Sequence, residues 1–169
     1  AVIYGAAGAM GSAVARTFAA DGATVMLAGR TLEKVEALAS SLSSTGARAF
    51  PAQVDATDRD SVEKHLADVV REHDRIDVSF NLIGIAGRQG DPLTHMTVEG
   101  FTDAISQTMR THYLTATAAA RHMAPSQQGV ILALTAQVAR KPYAGIGGFG
   151  VACAALEALW RQLAVELGP

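Results

Sequence analysis

The residues best spaced for chemistry in this 169-residue chain lie near its start. GAAGAMG at 5–11 sets Gly5, Gly8 and Gly11 three apart, after one apolar run and before an amphipathic stretch. Glycines there let the backbone turn tightly and let a pyrophosphate approach the main chain. A helix opening at that point adds free N–H groups and a partial positive charge. A β-α-β context makes the spacing a diphosphate signal, with a plain tight turn as the competing reading. The next apolar run ends LAGR, so Arg30 stands where dinucleotide folds meet the adenosine ribose. A carboxylate there would accept from a 2′-hydroxyl, whereas a guanidinium grips a 2′-phosphate in bidentate fashion. Arg30 therefore favours NADP(H) over NAD(H), the alternative being a solvated arginine at the sheet edge.

Proton chemistry is harder to find. GGFGVACAALEA at 147–158 reads as the start of the last helix; its first turns carry Phe149, Val151 and Cys153, and no side chain there moves a proton readily near neutral pH. Tyr143 precedes Phe149 by six residues, with Lys141 nearby; it is a candidate acid or a rim residue. Thr135 is a candidate to hydrogen-bond a substrate oxygen, though its alkoxide is out of reach. His112 reads more simply as a helix-interface residue. The histidines at 65, 73, 95, 112 and 122 show no HxH or HExxH spacing, so no metal site is expected.

The elements that must position these residues follow from alternating short apolar runs and amphipathic stretches. Strands are expected at 1–5, 23–28, 47–53, 76–83 and 129–134, and helices at 9–21, 32–44, from about 58 to 73, 98–123 and 148–167. Gly22 reads as the glycine just past the first helix, Thr31 as an N-cap, and TDRD as a capping box pairing Thr57 with Asp60. Five strands separated by helices imply right-handed parallel crossovers. The expected fold is α/β: a Rossmann-type doubly wound parallel sheet in three layers (α/β/α), with strand order 3-2-1-4-5.

Composition narrows the class further. Hydrophobic residues make up 49% and charged residues 18%, which argues against disorder. The net charge of −2 gives no reason to expect a nucleic-acid or anionic-membrane partner. No run of 18 apolar residues occurs, so no membrane span is expected. A single cysteine, Cys153, forms no internal disulfide, which suits a reducing compartment and a cytoplasmic location. The apolar start lacks the basic segment of a signal peptide. Ala1 at the start and VELGP at the end read as cut ends, as though this were part of a longer protein.

At this point the residues resemble the short-chain dehydrogenase/reductase superfamily. Its glycine motif TGxxxGxG falls on Tyr4, Gly5 and Gly11, with Ala9 at the middle glycine position and Gly8 just before it. AQVDATD resembles the family's DVTD segment, which implies that Asp55 contacts the adenine amino group. IDVSFNLIG resembles DVLVNNAG, matching Asp77, Asn81 and Gly84 while Leu82 and Ile83 replace the second Asn and the Ala. The closing LAVELGP is also typical, and the resemblance covers essentially the whole chain. It implies a cofactor-binding set of Gly5, Gly8, Ala9, Met10, Gly11, Arg30, Asp55, Ala56, Asn81 and Gly84.

The same resemblance implies hydride transfer to a carbonyl or from an alcohol, with a tyrosine moving the proton and a lysine four residues later lowering its pKa. The family's YSASKAAVEGL laid on FGVACAALEAL needs no gap. It puts Phe149 at the tyrosine and Cys153 at the lysine. The serine thirteen back falls on Ala136, beside Thr135, and the asparagine of the fourth helix falls on Thr108. All four positions of the tetrad depart from the pattern, so the usual mechanism does not run as it stands.

The expected organisation is a single dinucleotide-binding domain over 1–169, lacking the family's C-terminal strands and substrate loop. Small residues in TATAAA and ACAALEA suggest a homo-oligomer through the helices near 98–123 and 148–167. Three readings stay open. One is an NADP(H)-dependent oxidoreductase with a non-standard active site and a small-molecule substrate. Another is a catalytically inactive nucleotide-binding homologue serving as a regulatory or structural subunit. The third is a non-redox lyase or isomerase on the same scaffold.

Overall fold

The structure is a computed structural model and describes residues 1–168. Its elements follow in strict alternation: β1 (Val2–Tyr4), α1 (Ala9–Ala20), β2 (Val25–Gly29), α2 (Leu32–Ser43), β3 (Ala49–Gln53), α3 (Arg59–His73), β4 (Val78–Asn81), α4 (Val98–Met123), β5 (Val130–Ala133) and α5 (Gly147–Leu167). All strands pair in parallel in one sheet of order β3-β2-β1-β4-β5, the expected doubly wound arrangement. Strands fall one or two residues short of the apolar runs at most ends, because a ladder extends only where a neighbour pairs with it.

The helix ends agree with the sequence, with one correction. Gly22 takes φ +85 past α1, and Thr31 stands at the N-cap of α2 without a side-chain capping bond. The cap of α3, however, is Asp58 rather than Thr57: the Asp58 carboxylate accepts from Asp60 N–H at 3.2 Å. Thr57 is unavailable because its hydroxyl donates to Asp55 Oδ1 at 2.7 Å. A carboxylate one residue nearer the helix competes well for that role.

The chain divides into two compact units. The first comprises residues 1–84 and 114–133. Its strands are buried on both faces, and the period of two sorts their side chains into two layers. Val2, Tyr4, Met26 and Ala28 meet Val62, Leu66 and Val69 of α3 and Ala118 and Ala119 of α4. Ile3, Val25 and Leu27 meet Ala15 and Ala19 of α1 and Val35, Leu38 and Leu42 of α2. In β3, Val25 N–H donates to the Arg48 carbonyl and Val54 N–H to the Gly29 carbonyl. By alternation, the backbone of Ala49, Pro51 and Gln53 points away from β2.

The second unit comprises residues 85–113 and the chain from Leu134. Here the segment from 85 to 97 lies on the start of α5 through glycine contacts. Gly90 N–H donates to the Gly145 carbonyl at 2.7 Å. A Cβ on Gly148 would stand 2.0 Å from the Phe101 carbonyl oxygen, so only glycine lets α5 seat there.

Candidate functional site

In the first unit, four sequence-derived positions lie at the carboxyl ends of adjacent parallel strands, where doubly wound sheets bind ligands. Gly5 follows β1, Arg30 follows β2, Asp55 follows β3, and Asn81 ends β4. Gly5 adopts φ +70, and a Cβ there would come within 2.8 Å of the Leu82 carbonyl oxygen. Its own carbonyl accepts from Gly8 N–H at 3.0 Å, closing the turn. Gly8 is the N-cap of α1 and its carbonyl accepts from Ser12 N–H at 2.8 Å.

The N-cap Gly8 has no side chain to cap α1, and the first turn carries no acidic residue. The first-turn amides of Ala9, Met10 and Gly11 have no preceding helical carbonyl to meet. Ala9 and Met10 are exposed, so this end of α1 presents uncompensated donors to solvent. A diphosphate fits that geometry, and the Gly5–Gly11 contact is the cradle that a Cβ would fill.

The Arg30 side chain is exposed, while its backbone carbonyl accepts from Gln53 Nε2 at 3.1 Å. The arginine backbone is thus tied to β3 and the guanidinium is left to solvent. The Asp55 carboxylate accepts from both Thr57 N–H, at 2.9 Å, and Thr57 Oγ1, while Asp55 N–H donates to Ser61 Oγ at 3.1 Å. Ala56 is buried against the same layer as Tyr4. Asn81 is buried; its Nδ2 donates to Thr115 Oγ1 at 3.0 Å and its Oδ1 accepts from Ile83 N–H at 3.0 Å. Asn81 therefore holds the turn toward Gly84, which is exposed, by joining it to α4. Thr115, Ser61 and the Leu82 carbonyl are the supporting groups that sequence spacing gave no means of finding.

In the second unit, the structure gathers three of the four positions that the resemblance assigns to the tetrad. Ala136, Phe149 and Cys153 belong to one apolar cluster with Ile85, Val138, Ala139 and Ile146. Cys153 is fully buried there, and Phe149 is half-buried. Thr135 is exposed and its hydroxyl donates to the Cys153 carbonyl at 3.4 Å, which fixes it to α5. Thr108 is buried in α4, its carbonyl accepting from Thr111 Oγ1 at 3.2 Å. Tyr143 stands in the loop at 64% exposure and is not part of the apolar cluster. The cluster itself contains no phenol, imidazole, amine or carboxyl group.

Two histidines are buried, His112, as its reading as a helix-interface residue implied, and His65, which the sequence did not single out. His112 is edge-to-face with Trp160 at 5.4 Å, and burial pulls its pKa down to about 4. His65 is also held down to about 4, by burial first, with Asp68 opposing and Lys64 adding to the shift. Burial, aided by Glu63, pushes the Tyr4 phenol well above its usual range. Among the described residues, no group of three or more His, Cys, Asp or Glu side chains converges to hold a metal. No helix among them is long and apolar enough to cross a membrane.

Comparison with known proteins places this geometry among relatives. A family model described as enoyl-(acyl carrier protein) reductase matches residues 5–169. Gluconate 5-dehydrogenase of Gluconobacter oxydans (strain 621H) is 29% identical over 168 residues, covering 99% of this chain. The chain spans 65% of that relative's length. Among solved structures, a metagenomic short-chain oxidoreductase in complex with NADP is 28% identical, with a TM-score of 0.89 over 99% of this chain and 75% of the other. An NAD+-bound xylitol dehydrogenase is 25% identical, with a TM-score of 0.89 over 99% of this chain and 64% of the other.

Proposed function

Since the chain belongs to the short-chain dehydrogenase/reductase superfamily, we propose that it binds NADP(H) and serves as an oxidoreductase with a non-standard active site. The observation that carries the cofactor half is the turn from Gly5 to Gly11, closed by glycine contacts and opening onto the bare N-terminus of α1. In this reading the amides of Ala9, Met10 and Gly11 hold the pyrophosphate and the exposed Arg30 guanidinium takes the 2′-phosphate. Asp55 and Ala56 meet the adenine, and Asn81 shapes the turn at Gly84. The nicotinamide supplies or accepts the hydride. Thr135 and Tyr143 are the residues assigned to a substrate oxygen, Thr135 as a hydrogen-bond donor and Tyr143 as a proton source from the loop. The substrate is a small molecule, and the protein works in the cytoplasm as a homo-oligomer joined through α4 and α5.

A second reading is favoured by one specific observation. Ala136, Phe149 and Cys153 lie in one apolar cluster that holds no phenol, amine, imidazole or carboxyl group. That arrangement suits a nucleotide-binding subunit that regulates or supports a partner and does not itself turn over.

Titration with NADPH and NADH separates cofactor choice, and turnover separates the two readings. Arg30→Ala should weaken NADPH binding roughly 10- to 100-fold, the value of a charged hydrogen bond, and leave NADH nearly unchanged. Equal losses for the two cofactors would remove the 2′-phosphate role. The full chain binding NADPH yet oxidising none of it with carbonyl, imine and enone substrates would favour the inactive reading.

A further inference from the structure

Tyr4 and His65 form a buried polar pair that the proposed function does not use. Tyr4 ends β1, next to Gly5, and is 1% exposed. His65 lies on α3 and is 9% exposed. Their rings meet edge to face, 6.2 Å apart at 82°. The Tyr4 hydroxyl and His65 Nε2 are both buried without a hydrogen-bond partner among the described residues.

We propose that the Tyr4–His65 pair is an acid-sensitive lock joining β1 to α3, the two elements that flank the nucleotide end of this unit. The lock holds only while the imidazole is neutral. A proton on His65 would place a charge among Val62, Leu66 and Val69 of its own helix and the apolar residues of β1 and β2. The charged groups around the pair are already engaged. On α3, Lys64 and Asp68 pair with each other at 2.7 Å. Glu63 pairs with Arg121 from α4. The rest of the surrounding layer, Ala118, Ala119, Met123, Met26, Ala28, Val54 and Ala56, brings no charge to receive the new one.

The sign of the effect follows from burial. His65 has its folded pKa lowered to about 4 from 6.5. Its contribution is complete above about pH 6.5 and is lost as pH falls toward 4. Val54 and Ala56 lie in the same layer as the pair, so releasing His65 loosens the turn that carries Asp55 as well as the residue before Gly5. The link to cofactor rests on the proposed NADP(H) reading; the lock itself does not.

The test is urea unfolding of the full chain at pH 7.5 and 4.5, beside His65→Leu and His65→Gln. Over that interval His65 should reduce the folding equilibrium constant on the order of 100-fold in the parent. His65→Leu should lack that part of the acid loss; an acid loss as large as the parent's overturns the proposal. If both variants fail to fold, the His65 ring resonances of the parent decide. A titration midpoint below about 5, with simultaneous release of the Tyr4 ring, supports the lock. A midpoint near 6.5 with the fold intact overturns it. NADPH titration at pH 7.5 is read separately: no binding there sinks the cofactor reading and leaves the lock standing.

Discussion

The Cα of Gly11 lies so close to Gly5 that a Cβ on it would stand 2.2 Å from the Gly5 carbonyl oxygen. The neighbouring atoms are also backbone, Ala6 Cα at 2.8 Å and Gly5 C at 2.9 Å, so no side chain can rotate out of the way. The contact seats α1 directly on the turn it caps. Gly11→Ala should therefore cost about 1–3 kcal/mol of stability, as overpacking does, and displace the first-turn amides. Chemical denaturation reads the first effect and NADPH titration the second. A variant as stable as the parent with equal affinity would show that the turn is not the cradle proposed.

Tyr4→Phe should be neutral or stabilising, unlike most core substitutions. The phenol ring packs in the layer between the sheet and α3, but its hydroxyl is buried without a partner among the described residues. Removing a polar group that pays for no bond recovers its desolvation cost, about 1 kcal/mol. The shift in urea midpoint at pH 7.5 measures it. A loss of stability would mean that the hydroxyl is satisfied in solution.

His112 gives the second unit its own acid dependence. Its pKa is pulled down by burial to about 4, so its stabilisation is full above about pH 6.5 and lost on acidification toward 4. The gap between 6.5 and about 4 corresponds to roughly 3 kcal/mol. Trp160, the one tryptophan in the chain, touches this ring. Its emission should report the transition, and His112→Leu should shift the acid midpoint downward. An acid midpoint that does not move in that variant would assign the effect elsewhere.

The catalytic register can be tested by restoring its chemistry. Phe149→Tyr with Cys153→Lys should yield NADPH-dependent carbonyl reduction, with a gain on the order of 10²-fold or more over either single variant. Cys153 is fully buried among apolar residues, so the new lysine should also lower stability and have a depressed pKa. Product formation by the double variant, measured against a carbonyl panel, checks the alignment. A folded double variant without activity would show that the proton position lies elsewhere.

The doubly wound order was legible because apolar runs of five to eight residues alternated with amphipathic stretches long enough to cross over. The glycine turn was legible because its spacing fixes a backbone path, whatever the side chains around it. The cap at Thr57 was misread for a local reason: Asp55 had already claimed its hydroxyl, and that bond depends on how the turn closes. The burial of His65 was written in the sequence more plainly than it was read. It shares a helical stripe with Val62, Leu66 and Val69, and a histidine on such a stripe is carried into the core by its neighbours. The gathering of Ala136 with Phe149 and Cys153 was not legible from residue properties alone. It depends on the loop after β5, where Gly145 takes positive φ and no periodicity applies, and on Gly147, which does the same at the first position of α5.

Pro51 carries one more consequence. It sits mid-strand in β3, at an edge of the sheet, on the side of the strand facing away from β2. A proline there offers no N–H, so the outward row of donors is interrupted between Ala49 and Gln53. A second strand arriving at that edge would find no continuous ladder to copy. At the high concentrations of a purified stock or a crowded cell, such a gap works against the edge-to-edge growth that turns folded domains into fibres.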